Sequence, residues 1–420
     1  MKSATVSLLC IGVLALASPV VAMTYVVRPD GTGDFPTIQE AINAVADGDT
    51  IELTNGTFAG VGNRDIDYLG KVIVVRSQSG SPDSCIIDCN IDGRGFHFHS
   101  GEAAGSTLEG IKVTHGNAEY GGGICCENAS PMIVSCSISD NGIWGEGSGG
   151  GGVYCTNNSS PTFVNCTIDL NSVPATSGGG GIYCEGSIAS FTNCVILHNG
   201  AGDGGGVFCL DSSPTFSNCV ISGNVALYAG GVSCDNSSAI FTDCTISGNT
   251  ADAIAGDGGG VACLGPAAPI FTNCVLVGNS SSGWLGNGGG LSCVSCSVTL
   301  TNCTIADNWA TESGGGVVCG ASSPTFDNCT INGNSSHEGE GGGVLCSNSA
   351  ATFTNCTFID NTAWQSGGAV YCISSSPTFM KCTFGINSGS PGGGLYCEDS
   401  APILNSSIIA FCVGSGIYFR

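Results

Sequence analysis

Aromatic residues recur beside runs of glycine at one position, and their spacing suits contact with sugar rings. Tyr154, Tyr183, Phe208, Tyr371 and Tyr396 each occupy the middle of an apolar-x-Cys triplet, and Tyr418 takes the matching place in Gly416-Ile417-Tyr418-Phe419. In the intervening triplets the position is Ser233, Ala262, Ser292, Val318 or Leu345. An outward ring can stack on the apolar face of a neutral sugar; β-propensity and ring-on-ring stacking would also place aromatics there. Asp203 and Asp257 each sit in Gly-Asp-Gly-Gly, with Glu146, Glu312, Glu338 and Glu340 before other glycine runs. Hard oxygen donors on turns suit Ca2+, the one cofactor these donors suggest, although no nonapeptide calcium repeat is present. His97 and His99 alternate with Phe96 and Phe98, which puts both imidazoles on an outer face. With Asp88, Asp92, Glu102 and His115 they form a candidate metal group, against the plainer reading of a solvated polar surface.

A repeat positions the aromatic and acidic residues beside the glycine runs. A glycine run followed by apolar-x-Cys occurs eleven times, ending at Cys126, Cys155, Cys184, Cys209, Cys234, Cys263, Cys293, Cys319, Cys346, Cys372 and Cys397, a mean period of about 27 residues. A second cysteine follows each of the first ten, from Cys136 to Cys382. Five residues beyond it stands an asparagine every time: Asn141, Asn171, Asn199, Asn224, Asn249, Asn279, Asn308, Asn334, Asn361 and Asn387. Alternation within a unit gives three short strands, with Val153, Cys155, Phe163, Cys166 and Ile168 inward and Tyr154 and Thr167 outward. No helical period is present. One such unit cannot bury a face alone, so the units stack as parallel coils at ~4.8 Å each. The predicted fold is all-β, a right-handed parallel β-helix with a short N-terminal capping helix. Extra residues fall before the glycine runs and loop out along one edge. The asparagines read as a structural ladder, in which a turn tolerates left-handed backbone and each amide bonds to the next. Asn165, Asn302 and Asn355, each directly before a second cysteine, mark a bend.

The chain divides accordingly. Residues 1–22 read as an export signal, with Lys2, an apolar run from Val6 to Ala17, and small residues at Val20-Val21-Ala22. Residues 23–60 form the cap, strand–helix–strand, where Ile38, Ala41, Ile42 and Val45 keep helical spacing and Thr37-x-x-Glu40 is a capping box. Residues 61–120 make irregular first coils, and 121–420 make regular coils of about 27 residues, the last incomplete. An uncapped C-terminal coil invites end-to-end association. The 27 cysteines have two readings: thiol ladders stacked as small hydrophobes, or systematic disulfides. Parallel rungs hold neighbouring side chains too far apart for easy bridging, which favours thiols. Cys293-x-x-Cys296 lacks the second half of a zinc site.

Net charge is −24, and Lys381 is the only lysine or arginine between Val113 and Phe419. Such a surface repels nucleic acid, anionic lipid and acidic polysaccharide. Neutral glycans or another surface protein remain as partners. The signal is too short to span a bilayer, so a secreted or cell-surface location is expected, outer-membrane association included.

The segment Asp30-Gly31-Thr32-Gly33-Asp34-Phe35-Pro36-Thr37-Ile38-Gln39-Glu40-Ala41-Ile42 resembles the opening of pectin-lyase-like β-helix proteins, pectinesterases among them. The coils resemble bacterial right-handed β-helix repeats and those of chlamydial polymorphic outer-membrane proteins. Gly367-Gly368-Ala369-Val370 and Phe358-Ile359-Asp360-Asn361 match the latter's motifs directly. The resemblance implies the fold. It does not extend to the catalytic motifs of pectinesterases, pectate lyases or polygalacturonases, none of which is found in this sequence, and a fold alone supplies no activity. The leading expectation is therefore a non-catalytic β-helix that mediates adhesion or glycan binding. The alternatives are a pectin-lyase-like carbohydrate-active enzyme with its site between Asp88 and His115, and a purely structural envelope protein.

Overall fold

The computed structural model describes residues 22–145, 149–254 and 256–420; all of the export signal except Ala22, and Glu146, lie outside them. The chain winds as a parallel β-solenoid of about fifteen turns. Three long sheets of 15, 13 and 14 strands run its length, every pairing in them parallel. The register is fixed residue on residue: Cys126 on Cys155, Phe163 on Phe191, Ile168 on Ile196. A one-residue slip would send every inward side chain to solvent. A fourth, seven-stranded sheet, from Gly200–Asp203 to Thr362–Ala363, runs along the edge between the asparagine ladder and the glycine runs. The sequence does not announce it, because its strands are two to four residues long and carry no alternation.

The core is a set of columns. Phe163, Phe191, Phe216, Phe241 and Phe271 stack with centroids 4.7–4.9 Å apart and nearly parallel rings. Among the described residues 24 cysteines are free and all but Cys412 are buried. Thiols of the second ladder donate to backbone carbonyls: Cys219 Sγ lies 3.4 Å from both Phe191 O and Ser217 O. Burial pushes the Cys136 thiol up to about 12. Cys293 and Cys296 form a disulfide.

The asparagine ladder is continuous. Each Oδ1 accepts both the backbone N–H and the Nδ2 of the asparagine one coil earlier, at 2.9–3.1 Å from Asn141 through Asn387. One detail differs from expectation. The left-handed residue is the one before each ladder asparagine, as at Asp140, Leu170 and His198, and the asparagine itself is not left-handed. Asn165, Asn302 and Asn355 do adopt positive φ at the other bend. The third place of a glycine run lies close against the ladder: a Cβ on Gly206 would lie 2.9 Å from Asn224 Nδ2 and 2.7 Å from Gly231 O, although Ala369 fills the equivalent place in its own coil.

Helix α1 (Ile38–Ala44) covers the first coil, with Ile38, Ala41 and Ile42 buried and the Thr37 hydroxyl accepting from Glu40 N at 3.3 Å. At the opposite end Ile408, Phe411, Val413 and Phe419 are exposed. No helix among the described residues is long and apolar enough to cross a membrane.

Candidate functional site

The edge turns decide what the outward aromatics can reach. A left-handed residue opens each glycine run, at Gly121, Gly150, Gly179, Gly204, Ala229 and Gly258. The residue before it lies over the outward side chain of the next coil. Tyr120 stacks on Tyr154 at 5.2 Å. A Cβ on Gly149 would come within 2.1 Å of the Tyr183 ring, and one on Gly178 within 2.9 Å of Phe208 Cγ. The turns therefore roof the stripe. Tyr154, Tyr371 and Tyr396 are 5–8% exposed, and Tyr183 and Phe208 are half-buried. The expected open row of five rings is corrected on this point: Tyr154, Tyr371 and Tyr396 point outward from their strands but not to solvent, while Tyr183 and Phe208 stay partly open. The rings also pair along the column, with Tyr183–Phe208 and Tyr371–Tyr396 both at 5.0 Å. The hydroxyls of Tyr154 and Tyr371 donate to Glu185 and Glu398 one coil on.

Asp203 and Asp257 occupy the same roofing position, over Ser233 and Ser292 respectively. Both carboxyls are held in the edge and each leaves Oδ1 buried without a hydrogen-bond partner. Burial pushes Asp203 up to about 7, opposed by the Ser233 hydroxyl and the Gly204 N–H. Asp257 is raised by burial too, with Asn287 opposing. Tyr228 stands between them in the ladder of turns, so the two carboxyls do not converge. Glu340 is engaged instead by Ser313 at 3.1 Å. Among the described residues no three His, Cys, Asp or Glu side chains form a group able to hold a metal ion.

The early coils hold the basic residues and two clefts. One of about 370 Å³ is lined by Asp65, Asp92, Arg94, Asn117, Glu119 and Trp144. Its neighbour, of about 380 Å³, includes His115, Asp140 and Leu170. The six candidate metal ligands of this region are dispersed. His115 Nδ1 pairs with Asp88 at 3.0 Å, Asp92 with Arg64, and Glu102 accepts the N–H groups of Gly70 and Ser100. His97 and His99 do sit together, centroids 4.1 Å apart, with His99 3.2 Å from Asp67. Burial, aided by the nearby Arg94 charge, drives His97 down to about 3, so it stays neutral.

The sequence reading missed the tryptophans. Trp144, Trp284 and Trp364 are 64–73% exposed. Together with Trp309 they all fall one to five residues after a ladder asparagine, on the edge. Trp309, His337 and Trp364, on three successive coils, form a row with both centroid spacings at 6.2 Å. Their shared place within five residues of a ladder asparagine was the available signal.

Residues 44–175, 73–231 and 230–408 match the family model described as the right handed beta helix region, and the chain belongs to that family. The search of curated proteins gave no match. Among solved structures the chain is similar in fold to a pectate lyase, at 15% identity over 80% of this chain and 78% of that one, TM-score 0.43. Dettilon tailspike protein matches at 12% identity over 94% and 68%, TM-score 0.43. An A-module of a mannuronan C-5 epimerase from Azotobacter vinelandii matches at 13% identity over 91% and 93%, TM-score 0.38.

Proposed function

We propose that this chain is a non-catalytic extracellular or cell-surface β-helix that holds a neutral glycan along its edge. The row of Trp309, His337 and Trp364 carries the reading. Most of the Trp364 indole faces water within a row of rings and not as a lone side chain, and ring faces repeating along the rod axis suit successive sugars of an extended chain. The test is retention on neutral polysaccharides by affinity electrophoresis, with Trp309→Ala and Trp364→Ala compared with the parent. Loss of roughly tenfold in affinity for each is expected from one removed stacking platform. Retention unchanged in the double variant sinks the proposal.

A second reading, a carbohydrate-active enzyme, draws support from the early-coil cleft, where Asp65, Asp92 and Glu119 lie beside Arg94 and Trp144. Release of reducing ends from the same neutral polysaccharides, or of unsaturated ends from uronate-containing ones, would favour it over the first.

A further inference from the structure

A cleft of about 320 Å³ opens on the edge of the rod, lined among others by Ser177, Tyr183, Asp203, Phe208 and Tyr228. It lies several coils from the tryptophan row. Three rings border it. Tyr183 and Phe208 form one wall, centroids 5.0 Å apart and inclined by 35°, and Tyr228 is 50% exposed where it pairs with Asp203 across coils. Two polar atoms in it are buried with no partner, Asp203 Oδ1 and Ser177 Oγ, and Ser177 is only 4% exposed. Glycine lets the turns that form the cleft approach closely, since a Cβ on Gly202 would lie 2.0 Å from Ala175 O.

One oxygen of the Asp203 carboxyl is buried without a partner, which is costly for the ionised form, and this part of the chain has no cation to offer, Lys381 being the only lysine or arginine between Val113 and Phe419. What the cleft lacks is one positive charge of a size that rings can surround. A primary ammonium would need several acceptors around it. A methylated ammonium needs none, and is held by ring faces and a single carboxylate. A neutral sugar could donate hydroxyl hydrogen bonds to the carboxylate but would bring no charge. We propose that this cleft binds an alkylated ammonium group of the trimethylammonium kind. Glu185 and Asp235 add negative potential, pushing the Tyr183 hydroxyl up to about 12 together with burial, so that ring stays neutral. Burial, Asp235 and Cys234 all favour protonated Asp203, against Ser233 and the Gly204 N–H. A cation needs the ionised form, so binding tightens between about pH 6 and about pH 8.

The test is calorimetric titration of the full chain with tetramethylammonium chloride and choline chloride, and in parallel with the neutral carbon isostere of choline. Saturable binding of both cations is expected, weakened about tenfold by Tyr228→Ala and by Asp203→Asn, with the isostere about tenfold weaker. Phosphatidylcholine vesicles separate two sources of the group. Cosedimentation that Asp203→Asn abolishes assigns a lipid surface; choline binding without cosedimentation assigns a free ligand. Failure of both cations to bind, equal affinity for the isostere, or affinity unchanged in both variants overturns the proposal. None of these outcomes bears on glycan retention at the tryptophan row.

Discussion

Replacing Asn224 by alanine should be among the most damaging single changes in the rod. Its Oδ1 accepts Asn199 N at 2.9 Å and Asn199 Nδ2 at 3.0 Å. Its Nδ2 donates to Ile196 O at 3.1 Å and to Asn249 Oδ1 at 3.0 Å. Alanine leaves two donors of Asn199 buried and unpaired, whereas Asn249 Oδ1 keeps the Asn224 backbone N–H. An orphaned buried donor costs about 1–3 kcal/mol, which puts the loss at roughly 2–6 kcal/mol. Asn224→Asp retains the acceptor, removes both donors and buries a charge, so it should fare no better. The assay is urea unfolding followed by far-ultraviolet circular dichroism, with exposed Ser238→Ala as the control expected within about 0.5 kcal/mol of the parent. A solenoid's coils interact with nearest neighbours. Hydrogen exchange should therefore show the loss centred on the coils of Asn199, Asn224 and Asn249. If Asn224→Ala unfolds within about 0.5 kcal/mol of the control, the ladder is not a stabilising element and the reasoning fails.

Two further outcomes follow from the same geometry. Phe241→Ala, which removes a ring held between Phe216 at 4.9 Å and Phe271 at 4.7 Å, should cost about 3–5 kcal/mol by the same unfolding measurement. Asp203 has a folded value of about 7 against an ordinary 3.8, so its neutral form supports the fold below about pH 4 and that support is lost as pH rises towards 7. Asp203→Asn should then be more stable than the parent at about pH 8, by up to about 4 kcal/mol, and nearly equal to it at about pH 4; a variant less stable at both would contradict the burial argument.

Much of this architecture could be read from the chain because stacking makes each coil repeat its neighbour's constraints. The ladder asparagines, the inward Phe163 and Ile168 and the bend at Asn165 are all fixed by contacts between equivalent residues, so they recur at constant offsets. What could not be read depends on contacts between unlike residues. Tyr154 alternates as an outward residue should, yet Tyr120 of the preceding turn covers it. Nothing in the period of a strand reports what a loop from the coil before will do. The edge sheet left a fainter mark, a small residue two places after each ladder asparagine, as at Ala226, Ala251, Ser281, Ala310, Ser336 and Ala363, beside a neighbour that changes type from coil to coil. The cleft at Asp203 combines both difficulties, drawing its residues from three coils at a place where the units vary.

The roofing turns have a further consequence for how such a chain can change over generations. Each turn is shaped for the strand of the coil that follows it: Gly149 for the Tyr183 ring, Gly178 for that of Phe208. The coils look alike but are not interchangeable. A recombination event that brought the Asp203 turn into the place of Gly178 would set a side chain against a ring that leaves no room for one. Crossovers that preserve the rod are those in which a turn and the next strand are inherited together. Descent in this chain is therefore recorded across the joints between coils, in which turn accompanies which ring.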